Sequence, residues 1–488
     1  MAAARKLVLV VVDSLRTDML QRAVEAGEAP NFARVLERGT LIPDCVSSFP
    51  SVTPVATSEI CTGVASDEHF ISGMNWYHRV ERRYVEYGSS LEATRAFGMF
   101  RTLYDVVYNM NLGHMSHEAH TLFEELGDAG LRSACTPFLV YRGRRRHELS
   151  LEGLMRRVAV AADFRHAVWG PDELFYGELY ASRRVPCRPT LARPGTRDEY
   201  SGCVGAELVR EDLFDFLLFS LPDNDHFAHR FGPEKTIESI AHADANFGKL
   251  AAPAGGIDPF LDEHAVVMLA DHAQTDVHSA LPLHTLLGGE WRVLQPNDER
   301  PEHAELAVSP TARAANVYVL GPPERKERVR SAVAARLGEI DGVDLVGWIA
   351  GEEAVVRSSR GELRFRPGSA ETDRRGERWD LDGEWSVLGL GREDGRIDSF
   401  DYPDCLRRLW SALGAPHAGD LVVSLAEGYE CADWGGASHV GGGSHGSLLR
   451  GDSLAPLIFS GCGPDAVGEG EQWALRDVAP IVRRHFDA

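Results

Sequence analysis

Three apolar runs set the plan of this chain. KLVLVVV at 6–12 stops at Asp13, FDFLLFSL at 214–221 empties into PDNDHFAH, and HAVVML at 264–269 reaches Asp271-His272 after a single Ala. An apolar run of this length reads as a strand buried on both faces, and such strands belong to mainly parallel sheets covered by helices on both sides. Helical spacing separates them. Residues 29–39 carry Phe32, Val35 and Leu36 before a Gly stop, 55–61 follow Thr53, and 234–250 place Ile237, Ile240 and Phe247 near one face. LIPDCVSSF reads as an extended segment delivering Thr53, and RYVEYG alternates as one arm of a hairpin.

The same pattern predicts a doubly wound α/β core over 1–301 that contains a mostly helical insertion at about 97–213. The insertion offers helices in AHTLFEELGDAG, LEGLMRRVAVAADF and DELFYGELYAS, and one strand candidate at 134–141. From about 302 the texture changes. AANVYVLG, the helix PERKERVRSAVAARLGEI, VDLVGWIA and GELRFRPG predict a small α+β subdomain to about 400, with 368–383 as a polar loop. The chain then returns to the core over 401–488 through the helix DCLRRLWSAL and a core strand in GDLVVSLAEGYE. Six glycines between Gly435 and Gly446 mark a loop that packs backbone closely against something.

Composition narrows the partners. A formal charge of −22 on 488 residues repels a nucleic-acid backbone, which excludes a duplex binder but admits a small phosphorylated molecule beside bound cations. The eight cysteines show no CxxC pair and no dense framework, so a reducing, cytoplasmic setting is expected. The first apolar run is too short to span a bilayer and ends in Asp13, and no later stretch is long enough, so no membrane role is expected.

The polar residues at the predicted strand ends are Asp13, Thr53, Asp225, His229, Asp271, His272 and His445. They are hard oxygen and imidazole donors with no thiol among them, a set that suits Zn²⁺ and is compatible with Mn²⁺ or Fe. Asp225 and His229 share a face if that stretch forms a helical turn. Thr53, ahead of a helix, is open to two readings: a hydroxyl for chemistry or an N-cap.

In order, Asp13, FPSVT with Thr53, Thr62-Gly63, HFISGMNW, D-x-x-x-H-x-x-G-P at 225–233, Asp271-His272 and Ser444-His445-Gly446 resemble the alkaline phosphatase superfamily. They look most like its nucleotide pyrophosphatase/phosphodiesterase (type I phosphodiesterase) branch. The resemblance implies two divalent metal ions, one held by Asp225, His229 and His445, the other by Asp13, Asp271 and His272 with Thr53 facing it. It implies a phosphodiester or nucleotide-like pyrophosphate cleaved through phospho-Thr53. The branch usually has an Asn three residues after the nucleophile, where this chain has Ala56; Asn75 is the substitute at hand. The sulfatase branch lacks support, because TPVAT offers neither a Cys or Ser to mature nor the accompanying Arg. Two alternatives stand beside this reading: a phosphomonoesterase on the same residues, and an inactive metal-stabilised binding protein.

Further residues are candidates for substrate contact. Trp76, Tyr77 and Trp434 are positioned to stack a base or to pack as lids, and His439, His278 and Asp276 lie close to expected ligands. Arg16 is expected to pair with a carboxylate, Phe227 and Phe231 to brace the Asp225/His229 turn, and Arg142, Arg144, Arg145, Arg146 and His147 to form a solvated basic face.

Overall fold

The computed structural model describes residues 6–161, 164–177, 179–188, 197–298, 300–464, 468 and 470–487. The three apolar runs form β1 (Lys6–Val12), and two strands that flank it in the main sheet. The full set adds β2 (Gly39–Val46), β3 (Ser133–Cys135), β4 (Glu173–Tyr176), β5 (Tyr180–Ala181), β6 (Phe216–Leu221), β7 (His264–Leu269) and β8 (Leu454–Ser460). The eight-stranded order is β2-β8-β7-β1-β6-β3-β4-β5. The central strands β7, β1, β6, β3 and β4 run parallel, and the antiparallel partners sit at the two edges.

Alternation along β1 explains why both faces are covered. Leu7, Leu9 and Val11 pack with Val52, Val55 and Ile60 on one side. Val8, Val10 and Val12 pack with Phe32, Phe219 and Phe247 on the other. Each such side chain contributes about 1.5–3 kcal/mol on full burial, so a β-strand filled from both faces has no room for polar residues until it ends. Register decides where it ends. Val12 lies opposite Leu221 and Val11 opposite Leu269, so β1, β6 and β7 finish level. Asp13, Pro222 and Ala270 therefore leave the sheet along one carboxyl edge, where open α/β sheets place their ligands.

A second, seven-stranded sheet follows the order Leu306–Thr311, Ala314–Val319, Leu421–Leu425, Val343–Ala350, Glu353–Ser358, Gly361–Thr372, Arg378–Gly383, all antiparallel. Leu421–Leu425, expected in the main sheet, is an interior strand here, and its apolar run suits either location. The polar stretch 368–383, expected as a loop, is largely the exposed hairpin arm that closes this sheet, with a register shift between Pro367 and Glu371.

The insertion carries short strands as well as helices, and two of its segments extend the main sheet. DELFYGELYAS, read as a helix, is the β4–β5 pair, turned by Gly177 at φ 57°. Apolar runs of four residues do not distinguish helix from strand by period. The helix read over 151–164 spans Gly153–Ala161, with 162 and 163 outside the described residues. Cys187 and Cys203 form a disulfide, whereas the other described cysteines are free. Such bridges are rare in reducing compartments, which weighs against the reading of the cysteine spacing. Among the described residues no helix is long and apolar enough to cross a membrane.

Candidate metal centre

Each expected ligand is delivered by a short local device at the carboxyl edge. Asp13 follows β1 directly, and the next residue, Ser14, turns the chain at φ 58°. β6 leads through Pro222 into α-helices rather than a loop. With α1 as Thr53–Thr62 and α2 as Arg197–Arg210, the helix after β6 is α3 (Asp223–Phe231), and α4 (Ile237–Ala251) follows it. The four-residue spacing on α3 puts Asp225 and His229 on one face. Asp271 and His272 follow β7, and His445 comes from the glycine-rich loop just after Gly443–Ser444. Thr53 is the first residue of α1, and the N-cap position before it is the extended Val52, so Thr53 is not the N-cap.

The seven residues meet in two groups. Asp225, His229 and His445 each offer a donor atom within 4.8 Å of the others, and so do Asp13, Asp271 and His272. In the first group the Nδ1 of His229 donates to Gly443 O at 2.8 Å and the Nδ1 of His445 donates to Ser51 O at 2.7 Å. Those carbonyls fix the tautomers and leave both Nε2 atoms unprotonated and facing each other at 3.2 Å. Asp225 Oδ1 lies 3.3 Å from one and 3.7 Å from the other. Two imidazole lone pairs aimed at one point beside a carboxylate repel each other unless a cation sits between them, and the backbone carbonyls are the outer partners that metal-bound histidines ordinarily have.

In the second group His272 Nε2 is 3.4 Å from Asp271 Oδ2, 3.9 Å from Asp13 Oδ1 and 3.3 Å from Thr53 Oγ1. Asp13 Oδ1 and Asp271 Oδ2 are buried and have no hydrogen-bond donor among the described residues. Unmet carboxylate oxygens in a dry site are costly, and a divalent cation satisfies both. The rings of His272 and His445 stack at 3.7 Å, which couples the two groups. The donor sets thus fit two divalent cations.

The protonation tendencies differ from residue to residue. Burial, then the neighbouring Asp271 and Asp225, raises Asp13 well above its ordinary range; burial and Asp225 push Asp271 up to about 6. Burial pushes His272 down to about 4 and His445 to about 3, holding both neutral as ligands require. Burial also works to raise Asp225, but His229, His445 and His272 outweigh it and bring it below the carboxylate range. His229, lowered by burial, is carried upward by Asp225.

A cavity of about 760 Å³ opens over these residues, lined by Asp13, Thr53, Asp225, His229, Asp271 and His445. Among the proposed substrate contacts His439 reaches it, stacked on His229 at 4.0 Å and bonded to Glu430. Asn75, Trp76 and Tyr77 do not line it. They belong to the strand Asn75–His78 and are packed in the core: Asn75 Nδ2 donates to Pro310 O at 2.6 Å, Trp76 stacks on His417 at 4.0 Å, and Tyr77 packs on Tyr84 and Tyr318. Their neighbours Met74, Tyr87, Gly88 and Ser89 form that wall instead. Trp434 is likewise buried, donating to Val308 O at 3.0 Å. Arg16 pairs with Asp18 and Glu234, and Phe227 stacks on Phe231. The basic run is divided: Arg142 is buried on Glu124 and three backbone carbonyls, and His147 on Pro171 O, leaving Arg144, Arg145 and Arg146 exposed.

Sequence reasoning missed the residues that hold the ligands. Ser14 donates its N–H to Asp271 and its hydroxyl to Asp225 Oδ1 at 2.8 Å. Gln274 Nε2 donates to the same Oδ1 at 2.6 Å, and Asn224 Nδ2 to Asp13 O at 2.9 Å. Arg197, on the cavity wall, is held by Asp223 Oδ1 and Pro222 O. Proximity in sequence to Asp13, Asp225 and His272 was the available signal for the first three; Arg197 carried none.

A mainly parallel sheet with two paired donor groups at its carboxyl edge is a candidate metal-dependent phosphoesterase-type site. The model of the type I phosphodiesterase / nucleotide pyrophosphatase family matches residues 7–447, and the chain belongs to that family. No curated protein is a significant match to the sequence. Among solved structures, phosphonoacetate hydrolase from Sinorhizobium meliloti 1021, in complexes with phosphonoformate and with phosphonoacetate, is similar at 18% identity and a TM-score of 0.55, over 98% of this chain and 94% of that one. Murine ectonucleotide pyrophosphatase/phosphodiesterase 5 is similar at 12% identity and a TM-score of 0.56, over 99% and 95%.

Proposed function

We propose that the protein is a two-metal phosphodiesterase or nucleotide pyrophosphatase that cleaves a small phosphodiester or nucleotide-like substrate through a phospho-threonine intermediate. The observation that carries this reading is the position of Thr53: its hydroxyl sits 3.3 Å from His272 Nε2, on the wall of the cavity that both donor groups line. One cation would be held by Asp225, His229 and His445, the other by Asp13, Asp271, His272 and Thr53. Zn²⁺ suits the donors best, and bound there the cations supply Lewis acidity that makes a hydroxyl nucleophilic near neutral pH and offsets phosphoryl charge.

The chain's own part follows from its geometry. Thr53 Oγ1 gives up its proton and attacks phosphorus, the leaving ester or pyrophosphate oxygen departs into the cavity and takes up a proton from solvent, and water later cleaves the Thr53–phosphorus bond to release the remaining phosphomonoester. In the first turn of α1 Pro54 has no N–H and Val55 N–H donates to Val52 O at 3.0 Å, which leaves the N–H of Thr53 itself without an intrahelical acceptor. Arg197, fixed by Asp223, adds positive charge to a wall that would otherwise repel an anion. Monoesterase action is the second reading, and one observation favours it: Ala56 stands where the branch has Asn, and the Asn75 amide is committed to Pro310 O.

The test is metal content together with hydrolysis of bis-p-nitrophenyl phosphate, p-nitrophenyl phosphate and phosphonoacetate, the last because a phosphonoacetate hydrolase shares the fold. Thr53→Ala should abolish turnover while the chain keeps its metal. A T53A protein as active as wild type refutes the nucleophile. The ratio of the two nitrophenyl rates separates diesterase from monoesterase.

A further inference from the structure

A third cluster lies where α2, α3 and α4 meet. It joins Asp198, the second residue of α2; Asp223, the first of α3; and His242 on α4. One donor atom from each lies within 4.8 Å of the others. The helices meet tightly here, since a Cβ on Gly202 would come within 3.0 Å of Asn246.

The hydrogen bonds of the two carboxylates account for three of their four oxygens. Asp198 Oδ1 accepts the N–H of Asp223 and Asp223 Oδ2 accepts the N–H of Asp198, each at 3.0 Å. This reciprocal pair closes the starts of α2 and α3. Asp223 Oδ1 takes Arg197 Nε at 3.0 Å. The fourth oxygen, Asp198 Oδ2, is buried on a residue with 0% exposure and has no partner among the described residues, and neither has the buried His242 Nε2. Helix capping explains two of these oxygens and the Arg197 ion pair a third, but neither explains an unmet carboxylate oxygen and an unmet imidazole nitrogen in the same cluster. Among the described residues the guanidinium beside the cluster, Arg197, is already bound to the other carboxylate, so Asp198 has no counter-charge of its own there.

We propose that Asp198, Asp223 and His242 form a third divalent-cation site, separate from the paired groups, that fastens the starts of α2 and α3 to the body of α4. Two carboxylate oxygens and one imidazole nitrogen suit Zn²⁺ or Mn²⁺, with water completing the coordination. Its role is positional. Asp223 precedes Asp225 by two residues on the same helix and also carries Arg197, so a cation there sets both the start of the ligand-bearing helix and the cationic wall of the cavity.

The experiment is equilibrium dialysis of the full chain against Zn²⁺, repeated with Mn²⁺, for wild type, His242→Gln and Asp198→Asn. Each variant should bind about one equivalent fewer than wild type and lose part of the metal-dependent rise in melting temperature. Equal metal content in wild type and both variants overturns the proposal and leaves a proton as the occupant. If either variant fails to fold, Asp13→Asn/Asp271→Asn/His229→Gln/His445→Gln gives the answer independently. Stripped of the paired groups, it should still take up about one equivalent, and taking up none refutes the site.

Discussion

Arg313 offers the most direct test of how the second sheet holds the metal loop in place. It lies in the turn between Leu306–Thr311 and Ala314–Val319, with 0% exposure. Its guanidinium meets Asp452 Oδ1 at 2.6 Å, Tyr429 O at 3.0 Å, Ala426 O at 2.8 Å and Thr275 Oγ1. Its backbone N–H donates to His445 O at 2.7 Å. Asp452, also at 0% exposure, accepts both the N–H and the hydroxyl of Ser447 on Oδ2, so one ion pair anchors both sides of His445. Arg313→Met leaves a buried carboxylate without its cation, a loss of about 4 kcal/mol. A chain of 488 residues unfolds with an entropy of about 1 kcal/mol/K, so the melting temperature should fall by about 4 °C. Adding Asp452→Asn removes the stranded charge but keeps an acceptor for Ser447, so R313M/D452N should regain at least half of that loss. The assay is thermal melting of the metal-loaded protein, with metal content measured beside it. An R313M protein that melts within about a degree of wild type refutes the reasoning, as does a double variant that melts no higher than R313M.

Further outcomes are expected elsewhere. Burial pushes His69 and His114 down to about 3, so the unfolded chain, with an ordinary value near 6.5, takes up protons first. The stability held by each is complete above pH 6.5 and lost as pH falls toward 3, amounting to about 2 kcal/mol apiece between pH 8 and pH 5. Urea midpoints of wild type and His69→Gln at the two pH values test this, since acid release of metal cancels in the comparison; parallel shifts would contradict it. A Cβ on Gly442 would stand 1.9 Å from His229 O. Gly442→Ala should therefore push the glycine-rich loop off α3 and drain the Asp225/His229/His445 group first, visible as about one equivalent of metal lost. Full retention of metal would mean that the loop moves without taking His445 with it.

What could be read from sequence, and what could not, divides along a physical line. β1, β6 and β7 are filled from both faces, so their composition is forced toward near-continuous Val, Leu and Phe, and the first polar residue after each run marks the sheet edge. Asp13, Asp225 and Asp271-His272 were legible because three such edges coincide, and level register makes them converge. His445 comes from a loop with no period of its own; it was legible only through the order of motifs. The cavity walls answer to no period at all. Trp76 and Tyr77 beside glycines resemble a base-stacking platform, yet they sit in a short strand on the core, where Trp76 meets His417 and Tyr77 meets Tyr318. Arg142 sits in a basic run that looks solvated, but it is the residue of that run whose donors find Glu124 and the carbonyls of Met115, Ser116 and Ala119.

The same line separates the ligands from the residues that aim them. Asp225 would be free to rotate on α3 if Ser14 and Gln274 did not both donate to its Oδ1, and Ser14 can reach it because the chain turns through a left-handed conformation immediately after Asp13. A strand-ending Asp is visible one residue at a time; an aimed Asp is a property of two loops meeting a helix. That is why the chain reads as a metal-dependent phosphoesterase from its strand ends, whereas the shape and charge of the cavity, Arg197 above all, emerge only from the folded arrangement.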